Sequence, residues 1–206
     1  MVIVDLGCGP GNTSQMLSTS FPGSTIIGLD IDEAMINYAT EHSTFSIDSE
    51  GVPVLNGCEF YSQDVGSFWD EFWNEELREK LQGKVDAIFS NFALHWLNDY
   101  RFLAENIKRM LKPNGLSLFC GNLLYPGDIC TFANESEREI ISNVCCYPNE
   151  QQYISDFLFA FRNENFNHFN IAYHEELSIF PENFYKNCTF YLFVYLIICL
   201  LIYLFI

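Results

Sequence analysis

Short runs of branched apolar residues alternate with stretches of helical periodicity through the first 120 residues of the chain. Val2 to Val4 has the pattern of a buried strand and leads into Asp5. Thr25-Ile-Ile-Gly-Leu-Asp30 repeats that design, again ending on a carboxylate. Cys58 to Ser62 predicts a short third strand reaching Gln63-Asp64-Val65, and Lys84 to Ser90 a fourth that runs into Asn91 to Trp96. Leu116 to Cys120 predicts a fifth. Between these runs the period changes to helical. One helix opens near Thr13 with Met16 and Leu17 on one face and ends at Pro22-Gly23. Asp32 is placed to cap the next, whose apolar positions are Met35, Ile36 and Ala39. Residues 68–82 predict one acidic amphipathic helix with Trp69, Phe72, Trp73, Leu77 and Leu81 on a shared face. Asn98 or Asp99 caps a further helix, with Leu103, Ile107, Met110 and Leu111 inward and Pro113-Asn-Gly115 as its stop. Residues 43–57 lack periodicity and predict an extended loop. Residues 135–145 and 150–161 have helical patterns, and 169–180 can hold a sixth strand.

Alternation of this kind predicts an α/β fold with a doubly wound, mostly parallel sheet. In such sheets ligands bind at the carboxyl edge. The predicted strand ends place Asp5 with Gly7, Asp30, Asp64 and Asn91 on that edge. Gly7, Gly9 and Gly11 alternate after the first strand, giving a turn whose backbone N–H groups can face a ligand. The spacing is D-x-G-x-G-x-G rather than the G-x-G-x-x-G of dinucleotide sites, and no Lys follows as in a P-loop. A nucleoside suits it better than a pyrophosphate. Asp30 has the chemistry to accept from a ribose diol, and Asp64 from an adenine amino group with Val65 against the ring. Phe92, Leu94 and Trp96 are placed to line an apolar acceptor pocket, with His95 as a polar donor.

Composition narrows the classes of partner. A net charge of −17 over 206 residues argues against non-specific nucleic-acid binding. With 20 Phe and 11 Tyr the chain has globular composition. The eight cysteines show no metal-ligand spacing, so no metal is expected, and reduced thiols in a cytoplasmic protein are the simpler reading. Sequons at Asn12, Asn134 and Asn187 are taken as chance matches, and no signal peptide is visible.

Residues 2–122 resemble class I S-adenosylmethionine (SAM)-dependent methyltransferases. The resemblance rests on Val4-Asp-Leu-Gly-Cys-Gly-Pro-Gly11, on Gly28-Leu-Asp-Ile-Asp32, on Phe89-Ser-Asn-Phe-Ala-Leu-His-Trp-Leu-Asn-Asp99 and on Leu111-Lys-Pro-Asn-Gly115. The last two runs are most similar to the arthropod juvenile hormone acid methyltransferases, and also to bacterial carboxyl methyltransferases acting on acyl or aconitate groups. The resemblance implies a Rossmann-like methyltransferase fold, SAM as cofactor and carboxyl O-methylation of a small apolar acid. It places Asp5, Gly7, Cys8, Gly9, Gly11, Asp30, Ile31, Asp64, Val65 and Asn91 against the cofactor, and His95 and Trp96 on the acceptor side. A SAM-binding protein without catalysis is the alternative; a nicotinamide dehydrogenase is disfavoured by the turn spacing.

Against that family the chain is expected to lack the helical segment ahead of the first strand and the last antiparallel strand. Residues 1–187 are therefore expected to form the SAM-binding domain and 188–206 a separate apolar tail. Phe190 to Ile206 is free of charge. It predicts either a short membrane anchor, which would fix the protein to a membrane by its C-terminus, or the translation of thymine- and adenine-rich intron sequence; for a core strand it is too long and lacks alternation.

Overall fold

The computed structural model describes residues 1–42, 45–47, 53–55, 57–97, 99–123, 150–166, 168–179 and 192–203. The strands, in chain order, are β1 (Val2–Leu6), β2 (Thr25–Asp30), β3 (Phe45–Ile47), β4 (Pro53–Leu55), β5 (Cys58–Ser62), β6 (Val85–Asn91), β7 (Leu111–Leu123), β8 (His168–Ile179) and β9 (Leu192–Tyr203). The helices are α1 (Asn12–Ser20), α2 (Glu33–His42), α3 (Trp69–Phe72), α4 (Glu75–Leu81), α5 (Arg101–Met110) and α6 (Glu150–Asn163). Seven strands form one sheet in the order β5-β2-β1-β6-β7-β9-β8. The first five are parallel, as the alternating pattern predicts, and β9 runs antiparallel to both β7 and β8.

Both faces of the sheet are covered. On one, Leu17 of α1 packs with Ile3 and Ile26. On the other, α3 to α6 bury Trp69, Trp73, Leu77, Leu103, Ile107 and Phe157 against Val4, Leu6, Ile88 and Phe119. Each such side chain contributes about 1.5–3 kcal/mol by leaving water. Ile107→Ala in α5 would cost about 2–5 kcal/mol, because the surrounding helices cannot collapse into the gap.

Several sequence expectations change in detail. The helix expected over 68–82 is two helices. Asn74 accepts a hydrogen bond from the Leu77 N–H at 3.2 Å and so starts α4 afresh. That break turns Phe72 out to solvent, while Trp69, Trp73, Leu77 and Leu81 stay in the core. In α1 the buried positions are Ser14 and Leu17, with Met16 exposed; in α2 they are Ile36 and Ala39, with Met35 exposed. The cap of α1 is Gly11 rather than Thr13, whereas Asp32 does cap α2 through Ala34 N–H at 2.8 Å. Asp99 accepts from Arg101 N–H at the start of α5; Asn98 lies outside the described residues. Leu111 already pairs with Val85, and the Pro113-Asn-Gly115 turn appears as a register shift inside β7. The expected loop over 43–57 contains the β3–β4 antiparallel pair. The helix expected over 135–145 lies outside the described residues.

The largest correction concerns the C-terminal apolar run. It was expected to stand apart from a sheet lacking its last strand. Leu192–Tyr203 is instead that strand: β9 pairs with β7 from Leu116↔Tyr203 to Leu123↔Leu196, and with β8 along its whole length. The physical reason is its position. Its N–H and C=O groups are met by ladder partners on both sides, so the run can lie inside the sheet without polar alternation. The expected boundary at residue 187 falls outside the described residues, and among those described no helix is long and apolar enough to cross a membrane.

Candidate functional site

The β1–α1 turn sets the site. Gly7, Gly9 and Gly11 have φ of 69°, 51° and 85°, a left-handed backbone that favours glycine. Gly7 has a second constraint, since a Cβ there would lie 2.1 Å from the Ala93 Cβ. Nothing lies within 4 Å of a Cβ placed on Gly9, so the turn opens outward at that residue. The N–H groups, however, are not presented to a ligand as the sequence suggested. Gly7 and Cys8 donate to Leu29 O at 2.7 and 3.0 Å, Gly11 to Cys8 O at 3.0 Å, and Gly9 to Asp30 Oδ2 at 2.8 Å. The turn therefore offers space rather than donors, which suits a ligand carrying its own N–H and O–H groups over an anion.

Beneath the turn lies Asp5, fully buried. Ser14 Oγ donates to its Oδ2 at 2.6 Å, while Oδ1 is buried with no hydrogen-bond partner. Burial pushes its carboxyl up to about 6; the Ser14 bond opposes that rise and the Asp30 charge adds to it. A buried acceptor without a donor is costly, and a cationic or N–H group arriving from the ligand side would relieve it. Cys8, beside it, is packed inward: its Sγ is 2.9 Å from a Cβ placed on Gly28. Burial raises its thiol well above the usual range, so it is an inert packing group.

Asp30 closes β2. Its Oδ1 accepts from Asp32 N–H at 2.9 Å and its Oδ2 from Gly9 N–H. Each oxygen retains acceptor capacity for one hydroxyl, the requirement for a vicinal diol. After β5, Asp64 Oδ1 accepts from Gly66 N–H at 2.9 Å, fixing the loop that carries Val65. That loop is also held from below. Asn106 Nδ2, on α5, donates to Val65 O at 3.0 Å and Ser67 O at 2.8 Å. Gln63 Nε2 donates to Asp64 O at 3.0 Å.

At the end of β6, Ser90 Oγ donates to Leu6 O at 2.8 Å, tying β6 to β1. Phe92 follows in the left-handed region at φ 55°, held by its N–H on Cys120 O. A β-carbon residue there carries strain of about 1–3 kcal/mol, a feature concentrated at functional sites. A single 3-10 turn, Leu94–Trp96, comes next, secured by Tyr100 Oη donating to Leu94 O at 3.1 Å. Trp96 is 58% exposed. His95 belongs to this turn by its backbone; its side chain lies outside what the structure describes.

These elements enclose a cavity of about 250 Å³ at the carboxyl edge. Of the residues singled out from sequence, Gly7, Asp30, Ile31, Asp64, Val65, Leu94 and Trp96 line it together. Asp5, Cys8, Gly9, Gly11, Asn91 and Phe92 do not; the first five form the turn and strand ends around it, and Phe92 follows β6 outside its wall. Sequence reasoning missed Gln63, Ala93 and Leu97 in the wall, and Ser14 and Asn106 as supports. Ser14 has a signal, lying on the α1 face that turns to the sheet. Asn106 has none, because its partners are carbonyls about 40 residues earlier in the chain.

The methyltransferase domain family matches residues 4–117, more than half of the chain and all four of these strand ends. The chain belongs to the methyltransferase domain family. Within curated relatives of this domain, the trans-aconitate 2-methyltransferase of Escherichia coli is 31% identical over 114 residues, covering 55% of this chain and 36% of that protein. The enzyme of the same name from Delftia acidovorans is 30% identical over 154 residues, covering 75% of this chain and 47% of that protein. The methyltransferase domain thus spans between a third and a half of those relatives' length. Its fold is shared with an arsenic(III) S-adenosylmethionine methyltransferase from Chlamydomonas reinhardtii, at a TM-score of 0.66 and 16% identity, covering 100% of this chain and 64% of that one.

Proposed function

We propose that this chain binds SAM along the carboxyl edge of the parallel strands and transfers its methyl group to the carboxylate of a small acid with an apolar body. The observation that carries this reading is the single cavity bordered by the glycine turn, Asp30 and Asp64, with the unpartnered Asp5 Oδ1 beneath. The donor set fits the cofactor. Asp5 matches its ammonium group, the turn at Gly7, Gly9 and Gly11 leaves room for the amino-acid arm, and Asp30 accepts from the ribose diol. Asp64 accepts from the adenine amino group, and Ile31 and Val65 flank the ring. Asn91, which ends β6, is read on the cofactor side.

When bound, the sulfonium supplies a methyl group that is already activated. The chain's task is then to align an acceptor oxygen and keep water out. A carboxylate is ionised at neutral pH, so no general base is needed. Phe92 and Trp96 offer apolar surface for the body of such an acid. That apolar surface favours an acid with an apolar body, such as a terpenoid acid of the juvenile hormone type or a fatty acid.

Methyl transfer from labelled SAM to a panel of terpenoid acids, fatty acids and trans-aconitate tests the proposal. Label in the esters of the apolar acids, lost in Asp30→Asn, is the expected result. SAM binding with no transfer to any acid would leave a binding protein without catalysis.

A further inference from the structure

A second cavity of about 740 Å³ adjoins the first. The two share Ile31, Gln63 and Asp64. The far wall of the larger one is aromatic: Phe68 and Phe72 at the two ends of α3, and Phe102 in the first turn of α5. The Phe68 and Phe102 rings pack on each other with centroids 5.6 Å apart. Phe72 is 64% exposed and Ile31 69% exposed. The Asn74 cap explains why: it ends the first helix early and leaves Phe72 pointing away from the core that holds Trp69 and Trp73.

Asp64 stands on the border between the cavities. Its Oδ1 is occupied by Gly66 N–H, which leaves Oδ2 for an arriving donor. An adenine amino group carries two N–H bonds, and Asp64 needs only one of them. Because Asp64 borders both cavities, a base held by it would have its second N–H on the side of the aromatic groove. We infer that this groove is a recognition site for an apolar substituent on the adenine amino nitrogen, so that the chain binds N6-aryl or N6-alkenyl adenosyl ligands as well as the unsubstituted ones. The inference rests on the nucleoside reading of the smaller cavity. The room is ample: a cavity of about 150 Å³ suffices for benzene. The chemistry is matched too, since a singly substituted amine keeps the N–H that Asp64 accepts while its ring packs against Phe72, Phe68 and Phe102.

Calorimetric titration of the full chain with three probes tests it: S-adenosylhomocysteine, its N6-benzyl derivative and its N6,N6-dimethyl derivative. The benzyl compound is expected to bind within about threefold of the parent, its lost N–H hydration offset by ring contact. The dimethyl compound, smaller but with no N–H for Asp64, is expected to bind about 10-fold or more weakly. Phe72→Ala, a change at an exposed position, is expected to weaken the benzyl compound alone. A benzyl derivative bound about 30-fold or more weakly than a parent that does bind would mean a closed adenine edge and overturn the inference. So would a Phe72→Ala variant with unchanged affinity for the benzyl compound. Failure of the parent itself to bind would overturn the nucleoside reading, and this inference with it.

Discussion

In one half of the sheet, β5, β2, β1 and β6 are five to seven residues long, and their carboxyl ends bring Gln63, Asp30, Gly7 and Asn91 to one edge. In the other half, β7, β9 and β8 run for 12 or 13 residues, and none of the candidate site residues lies on them. The difference follows from connectivity. Parallel strands with crossover helices bring every carboxyl end to one edge, so residues far apart in sequence meet there. β7 is the last of the parallel set; beyond it β9 reverses direction against both β7 and β8, and this antiparallel end gathers no such edge. What they add is a continuous ladder, with β9 paired on both sides. Ligand chemistry and sheet closure are thereby separated, and each can be broken without the other.

The most severe break is in the antiparallel half. Leu200 pairs with Phe119 on one side and Ile171 on the other, so Leu200→Pro removes an N–H from an interior strand. A loss of about 3 kcal/mol or more is expected, read as a fall in the urea midpoint, with the affinity of the folded fraction for S-adenosylhomocysteine unchanged. An unchanged midpoint would remove β9 from the sheet.

Asp5 gives the next largest effect, and of opposite sign. Its folded-state pKa of about 6 lies above the ordinary carboxyl value, so the folded chain holds a proton that the unfolded chain has released. Stability from this group falls as pH rises from about 4 to about 6 and stays low above that. Asp5→Asn should therefore raise the melting temperature of the ligand-free protein at pH 7.5, by up to about 3 kcal/mol in stability, and have no such advantage below about pH 4. Carboxylates held low by partners, such as Glu59 and Asp86, titrate alike in both proteins and cancel in the difference. The same substitution should weaken cofactor binding, the mark of an acid retained for its ligand.

A smaller effect is expected at Asn106, which supports the loop carrying Asp64 and Val65. Asn106→Leu fills a similar volume but leaves Val65 O without its donor; Ser67 O keeps the longer bond from Trp73 Nε1 at 3.3 Å. A cost of about 1–2 kcal/mol is expected, seen equally in adenosine and S-adenosylhomocysteine affinity, because both ligands use the loop.

Much of the parallel half was legible because its signals are local. Val2 to Val4, Thr25 to Asp30 and Lys84 to Ser90 carry strand patterns of their own, and each glycine of the turn is a backbone requirement written in one letter. The rest depends on distant partners. Nothing within Phe190 to Ile206 distinguishes a doubly paired interior strand from a membrane segment, since both are simply apolar. The engagement of Gly7 and Cys8 N–H groups by Leu29 O arises only when β1 and β2 are paired. Phe72 has helical spacing with Trp69, and only the Asn74 cap turns it outward to make the aromatic groove.

The most direct test of the site is calorimetric titration of S-adenosylhomocysteine into the wild-type chain and into Asp30→Asn. Asp30 carries the proposed ribose contacts on a carboxylate already anchored by Gly9 and Asp32. Loss of its charge should cost about 2–3 kcal/mol, or roughly 30- to 150-fold in affinity, with little change in melting temperature. Equal affinity in the two proteins, or no binding to the wild type, would contradict a nucleoside site at the carboxyl edge.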